Sequence, residues 1–380
     1  MSDVVGIEKI TDRAGTGAPD FTNGFNVAGS DSGISGFAHT ESANEPSSPS
    51  NGDAWLDTDN NIYKVYIDGE WKDWLGTSAS SAIWYGARAL FMGGYTTEAA
   101  TNIVTIEYVA PATTGNVTDF GDLTVGRTDG GTCSNGTRAI YSGGYANAGL
   151  QNVIDYVTTA TTGNATDFGD MSEASSGMAA LSDGTKGIIA GGYYATTAAI
   201  VNRIEFVTID TAGNMADFGD MLTADRRQAG TSDATRGLIA GGSVSNTNVI
   251  QYITTASAGN AVDFGDLTQV TQKFDGASDA TRSLFIGGQT TGSPYRSNVI
   301  SYVTTQTAGN ATDFGDLTQQ VETPSSTNDD IYAVRGGGGT ASGRTNVIDR
   351  VTIQTAGNAA DFGDLSGSNL GVRATSGAAS

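Results

Sequence analysis

Residues Thr307–Leu317 read TAGNATDFGDL. The DFG triplet is the metal-binding signature of protein kinases, where it works with a Gly-rich phosphate loop, a Lys–Glu pair and an HRD catalytic loop. None of these accompanies it in a chain with one histidine, and the same words recur. DFGD begins at Asp119, Asp167, Asp217, Asp263, Asp313 and Asp361, at intervals of 48, 50, 46, 50 and 48 residues. A Gly-Asn pair precedes every copy, from Gly115-Asn116 to Gly357-Asn358, and Leu or Met follows. Six copies describe a structural unit rather than one active site.

Two further markers share the period. Apolar runs end in Gly-Gly: ALFMGG (Ala89–Gly94), AIYSGG (Ala139–Gly144), GIIAGG (Gly187–Gly192), GLIAGG (Gly237–Gly242), SLFIGG (Ser283–Gly288) and a weaker YAVRGGGG ending at Gly339. Asn then opens alternating apolar runs, as in NVIQYITT (Asn248–Thr255). A period near 50 indicates a propeller or a solenoid. Each unit offers four short strands separated by turn residues and no helical periodicity. In the fourth unit these are Gln228–Ser232, Gly237–Ala240, Asn248–Thr255 and Ala261–Leu267. The expected fold is all-β: a six-bladed propeller over residues 77–380, with a β-solenoid as the alternative. The last unit runs on into Gly371–Ser380, small residues suited to an inner strand, while the first begins near its second strand. The C-terminus is therefore expected to complete the first blade and close the ring.

Composition narrows the function. The 380 residues carry a formal charge of −22 with 16% charged residues, which disfavours nucleic acid as a partner. Cys133 is the single cysteine and His39 the single histidine, so neither a disulfide within the chain nor a His-rich zinc site is expected. The N-terminus lacks the apolar run of a signal peptide, and no segment has the ~18 apolar residues of a membrane span. These features read as a soluble chain made in a cytoplasm.

The first 76 residues differ. Residues 1–43 are rich in Gly, Ser, Asp and Asn and read as an extended attachment arm with Phe21 and Phe25 as apolar anchors. Residues 44–76 hold Trp55, Trp71 and Trp74, with strands expected around Ala54–Leu56, Ile62–Ile67 and Glu70–Trp74, a small β-meander.

The apolar-run-plus-Gly-Gly marker, with an aromatic in the following strand (Tyr156, Phe206, Tyr252, Tyr302), resembles the kelch repeat. The Phe of DFGD stands where that repeat has tryptophan. The segment PSSPSNGDAWLDT (Pro46–Thr58), followed by Tyr63, Tyr66, Asp68-Gly69 and Trp71, is similar to a module of tailed-bacteriophage tail fibres. The DFGD repeats also look like those of structural proteins of marine phages. The resemblance implies a non-enzymatic virion protein, made in the host cytoplasm, a tail fibre or tail-associated adhesin. Its arm and Trp55, Trp71 and Trp74 would attach to other virion proteins, and its propeller would meet a host surface glycan or protein. A homo-oligomer, with a trimer favoured, goes with that reading. A propeller enzyme degrading surface polysaccharide and a capsid-decorating fibre are the alternatives.

Residue by residue, each DFGD is read as a Phe packed between blades, a Gly relieving crowding, and Asp side chains capping turn N–H groups. A calcium site made by these acids is the competing reading; no cofactor or metal is otherwise expected. The loops after Gly-Gly differ most between units and present Tyr95, Tyr145, Tyr193, Tyr194, Tyr295 and Arg296, expected on one exposed face as candidate ligand-binding residues.

Overall fold

The computed structural model describes residues 39–42, 45–51, 53–57, 62–67, 69–73, 85–96, 99–244 and 247–377. Every regular element among them is a strand, so the protein is all-β. The chain divides into two compact units, Met1–Ser80 and Ser81–Ser380.

The first unit is a four-stranded sheet. Ala54–Asp57 pairs antiparallel with Ile62–Ile67, which pairs with Glu70–Asp73. His39–Ser42, inside the segment read as an arm, adds a strand parallel to Ala54–Asp57. Trp55 is 4% exposed; its indole Nε1 donates to the Ser42 carbonyl at 2.9 Å, and its ring meets Trp71 edge-on at 5.6 Å. Tyr66 packs edge-on against Trp71 at 5.3 Å.

The second unit contains the repeat. Each copy folds as a sheet in the order inner, second, third and outer strand, antiparallel throughout, as in Ala229–Ser232, Arg236–Ala240, Val249–Thr254 and Val262–Asp266. The C-terminal Arg373–Gly377 supplies the inner strand against Arg88–Met92, which continues into Thr105–Val109 and Thr118–Asp122. Each inner strand packs beside the next, and Arg373–Gly377 lies beside both Gly131–Ser134 and Ser325–Asn328, so the six inner strands form a closed cycle. Small inner-strand residues permit this crowding: Ser278 Oγ, for instance, donates to the Ser232 carbonyl at 2.6 Å.

The apolar cores lie between sheets. Ile140, Ile154 and Phe168 of one sheet pack with Met178, Ile189 and Val207 of the next. Across the closing junction, Phe362 and Val334 pack with Phe91 and Val109. Cys133 is buried in one of these cores, where loss of solvation pushes its thiol up to about 12, leaving it protonated and inert.

DFGD joins the sheets. In five units its Phe meets the third-strand aromatic edge-on, as in Tyr156–Phe168 at 5.9 Å. The pairing shifts by one residue there, opposite Ile154 and Asp155, making a β-bulge. At the bulge Gly169 takes φ +146°, and an added Cβ would collide with the Gly213 carbonyl oxygen of the next sheet. That approach allows a backbone latch. The Gly213 N–H donates to Phe168 O at 2.8 Å, Met215 N–H to Asp170 O at 2.9 Å, and Asp170 N–H to Asn214 Oδ1 at 3.0 Å. The Asn cap recurs at all six junctions, including Asp364 N–H to Asn116 Oδ1 at 3.1 Å where the last unit meets the first. The expectation about capping is thus corrected. The cap is the Asn carboxamide from the neighbouring sheet; the first Asp side chain of each copy points into solvent, because the bulge turns its Phe inward.

A second contact joins the opposite ends of the second and third strands to the neighbouring unit. Arg138 stacks on Tyr156 at 4.8 Å and donates to the Asp210 carbonyl at 2.8 Å; Arg88, Lys186, Arg236 and Arg282 reach equivalent carbonyls. In the sixth unit cation and ring exchange strands. Tyr332 occupies the arginine position, and Arg350 the aromatic one, donating to Pro111 O at 2.9 Å.

Buried polar residues of the third strand cap the preceding connection. Asp155 accepts from Thr124 N–H at 3.1 Å, Gln251 from Leu222 N–H at 2.8 Å, and Glu107 more distantly from Ser366 N–H at 3.5 Å. Burial lifts the Glu107 carboxyl above its ordinary range, against the opposing pull of Ser366.

Deleting Gly371–Ser380 removes an inner strand and is expected to lower the melting temperature by on the order of 10 °C or more, measured by calorimetry. Gly169→Ala should cost about 3 kcal/mol in denaturant unfolding through strain and collision. Gly163→Ala, where an added Cβ meets nothing within 4 Å, should stay within about 0.5 kcal/mol. A raised folded-state pKa means that ionised Glu107 opposes folding above its pKa. Glu107→Gln should therefore raise the melting temperature at neutral pH, and the gain should vanish as the pH falls below about 4.

Candidate functional site

The Gly-Gly pairs set the loop face. Gly143 and Gly144 adopt φ +59° and +104°, turning the chain off the second strand, and Gly144 N–H donates to Ser175 O in the next connection at 2.8 Å. The second glycine makes this bond in every unit, for example Gly242 to Thr271 O at 3.1 Å and Gly338 to Asn369 O at 2.8 Å. Variable loops and unit-to-unit connections therefore lie side by side.

The tyrosines divide into separate environments. Tyr145 is 51% exposed and Tyr295 61% exposed. Tyr95 is half-buried, its backbone paired with Leu370 and its ring under Arg344 at 4.4 Å. Tyr193 is half-buried with Arg226 at 5.8 Å. Tyr194, expected on the exposed face, is instead 1% exposed: successive side chains of Tyr193–Tyr194 alternate sides, and the second points inward. Its hydroxyl donates to Glu205 Oε2 at 3.2 Å, and burial and that carboxylate push its pKa far upward. Tyr194 is a core residue that positions its loop.

Buried ion pairs brace the same face. Arg127 and Asp155, both fully buried, pair at 2.8 Å; Arg127 also donates to the Val153 carbonyl at 2.8 Å. Arg335 pairs with Asp349 in the sixth unit, donating as well to Gly337 O at 2.9 Å.

Tyr295 and Arg296 come together. They line a cleft of ≈ 490 Å³ with Pro294, Gln319, Gln320 and Thr340–Ser342, drawn from the loop of the fifth unit, its long outer strand and the loop of the sixth. Arg296 pairs with Glu322 at 2.8 Å, which holds the loop against the connection. An exposed aromatic face flanked by carboxamides and hydroxyls can stack on a sugar ring and hydrogen-bond its hydroxyls. The amides and hydroxyls were not singled out from sequence, because Gln319 and Gln320 lie more than twenty residues along the chain from Tyr295 and Thr340–Ser342 lie in the next unit.

In the first unit, Trp55 is a core residue of its own sheet and Trp71 is half-buried against it, so Trp55 has little surface to offer a partner. Phe21, Phe25 and Trp74 lie outside the described residues. Among the described residues no three His, Cys, Asp or Glu side chains are placed to hold a metal ion. The chain matches no protein-family model and no curated protein.

Tyr194→Ala should destabilise the protein by about 3–5 kcal/mol in urea unfolding, as for a large core aromatic. Tyr145→Ala should change stability by less than about 0.5 kcal/mol.

Proposed function

We propose that the chain is a non-enzymatic virion structural protein, a tail fibre or tail-associated adhesin, whose repeat region is a six-bladed kelch-like β-propeller. Six sheets built on the same order of four strands, the sixth extended by Tyr95–Thr96 and Gly339–Thr340, with inner strands in a closed cycle, support the propeller reading. The virion reading rests on the resemblance of the tryptophan-rich segment and the DFGD repeats to phage structural proteins. In this reading the N-terminal unit attaches the chain to other virion proteins and the loop face meets a host surface glycan. Copies of the chain on one particle would multiply weak binding at each site.

The observation that carries the binding role is the Tyr295 cleft, an exposed aromatic and polar cleft assembled from loops that differ between units. Binding of the full chain to host cell-surface polysaccharide tests it. Tyr295→Ala should weaken binding about tenfold or more, the loss expected when a stacked aromatic is removed. Unchanged binding in that variant would overturn the assignment, and release of new reducing ends during incubation would favour a polysaccharide-degrading enzyme instead.

A further inference from the structure

Two residues before each inner strand, the chain passes through the left-handed region at Asp129, Gly177, Arg227, Lys273, Thr323 and Gly371, with φ between +52° and +74°. Each of five donates its N–H to the carbonyl of its counterpart in the preceding unit, for example Arg227 to Gly177 at 2.7 Å and Lys273 to Arg227 at 2.8 Å. The six positions thus follow one another around the mouth of the inner-strand cycle. Glycine fits this backbone, as two units show, yet Arg and Lys occupy it in two others. Bulky residues held at positive φ are strained, and such positions concentrate where function needs a side chain.

Most cations of this unit are committed to latches, buried ion pairs or ring stacking. Of the rest, Arg226 reaches the Tyr193 ring and Arg296 lines the Tyr295 cleft, while Arg227, Lys273 and Arg373 lie on the turns and the inner strand at the mouth. Glu322 pairs with Lys273 at 3.0 Å and with Arg296 at 2.8 Å, and Asp129 approaches Arg373 at 3.4 Å. Asp225 is occupied by backbone N–H groups of Arg226, Ser243 and Val244. Asp275, further along the axis, accepts from Ser326 N–H at 2.8 Å, Gly276 N–H at 2.9 Å and the Ser325 hydroxyl at 3.0 Å. Among the described residues, no acid reaches Arg227 within hydrogen-bonding distance. Its half-buried side chain lies beside Gly177; desolvation followed by the nearby Arg226 charge lowers its pKa, against the opposing pull of the Asp129 and Glu322 carboxylates. Arg373 also lines an axial cavity of ≈ 70 Å³, together with Asp275 and the inner strands.

From this geometry we infer that the axial mouth is a binding site for an oxyanion, a carboxylate, sulfate or phosphate group carried by a ligand, held by Arg227 with Arg373 and Lys273 beside it. The repulsion between a guanidinium and neighbouring cations is relieved when an anion enters, and the fork of N–H donors matches such a group. In a chain of formal charge −22 this is a local reversal of sign. It would select acidic groups that the rest of the surface repels. The inference stands on the axis and does not depend on the Tyr295 cleft.

Calorimetric titration of the full chain at low ionic strength, with sulfate, phosphate and glucuronate in separate arms, tests the site. Saturable binding is expected in at least one arm, and the arm that binds identifies the group. Arg227→Gly, which places at this position the residue found in two other units, should weaken it about tenfold or more. Arg227→Gln, which keeps a side chain there, should do the same, and Arg227→Lys should restore part of the affinity. Tyr295→Ala should leave anion binding unchanged, which separates this site from the cleft. No saturable binding in any arm, or equal binding by wild type and both neutral variants, overturns the inference.

Discussion

The repeat unit depends on one contact, the passage of a Gly-Asn turn against the bulged outer strand of the preceding sheet. At the Phe168–Asp170 bulge the backbone offers two carbonyls and an N–H to Gly213, Met215 and Asn214. Only a residue without a side chain lets the chains come that close, since a Cβ on Gly169 would occupy the space of the Gly213 carbonyl. The Phe inside the bulge is turned into the core while the acids beside it face outward. The Gly and Phe of DFGD and the Gly-Asn pair are thereby used as backbone spacing, apolar packing and a cap, while the first Asp side chain faces solvent. The cap closes the last junction through Asn116 as it does the others, so the first and last units are bound as internal neighbours.

Uniform latches free the loop face from structural duty. The Gly-Gly exits and the Arg–carbonyl contacts hold each sheet to its neighbour, and the loops between can vary. Two kinds of chemistry result from this freedom. The Tyr295 cleft combines residues from two units, and the axial mouth combines cations from several connections. Both arise between units and neither is present in any single repeat. Their supports are buried: Arg127–Asp155 and Tyr194–Glu205 anchor connections and loops from below.

The all-β class, the four-strand unit and the pairing partner of the C-terminal strand were legible because each rests on local chemistry repeated many times. In the fourth unit the expected strands and the observed ones differ by a residue at their ends. Features governed by contacts between units were not legible. The Asp side chains gave way to Asn164 and its equivalents as caps, because the carboxamide acceptor lies across a junction, 42 residues from Asp122 in sequence. Tyr194 was indistinguishable from Tyr193 until the pairing of their short strand placed one ring on each side. The sixth unit keeps its cation–ring contact with the two residues exchanged between strands, a swap invisible to a search for aligned positions. His39–Ser42 joins its sheet by parallel pairing across a connection, which alternation within one segment does not reveal.

Read alone, the sequence determined the period, the strand-rich unit and the places where units differ. A repeated word imposes the same turn and the same packing wherever it occurs. The tertiary structure decided which variable residues meet. Tyr295 faces the Thr340–Ser342 loop, and Arg227 feels Arg373, only when separate units are brought together. The separations that matter for stacking and charge are set across junctions, by the close approach that a glycine at the bulge permits.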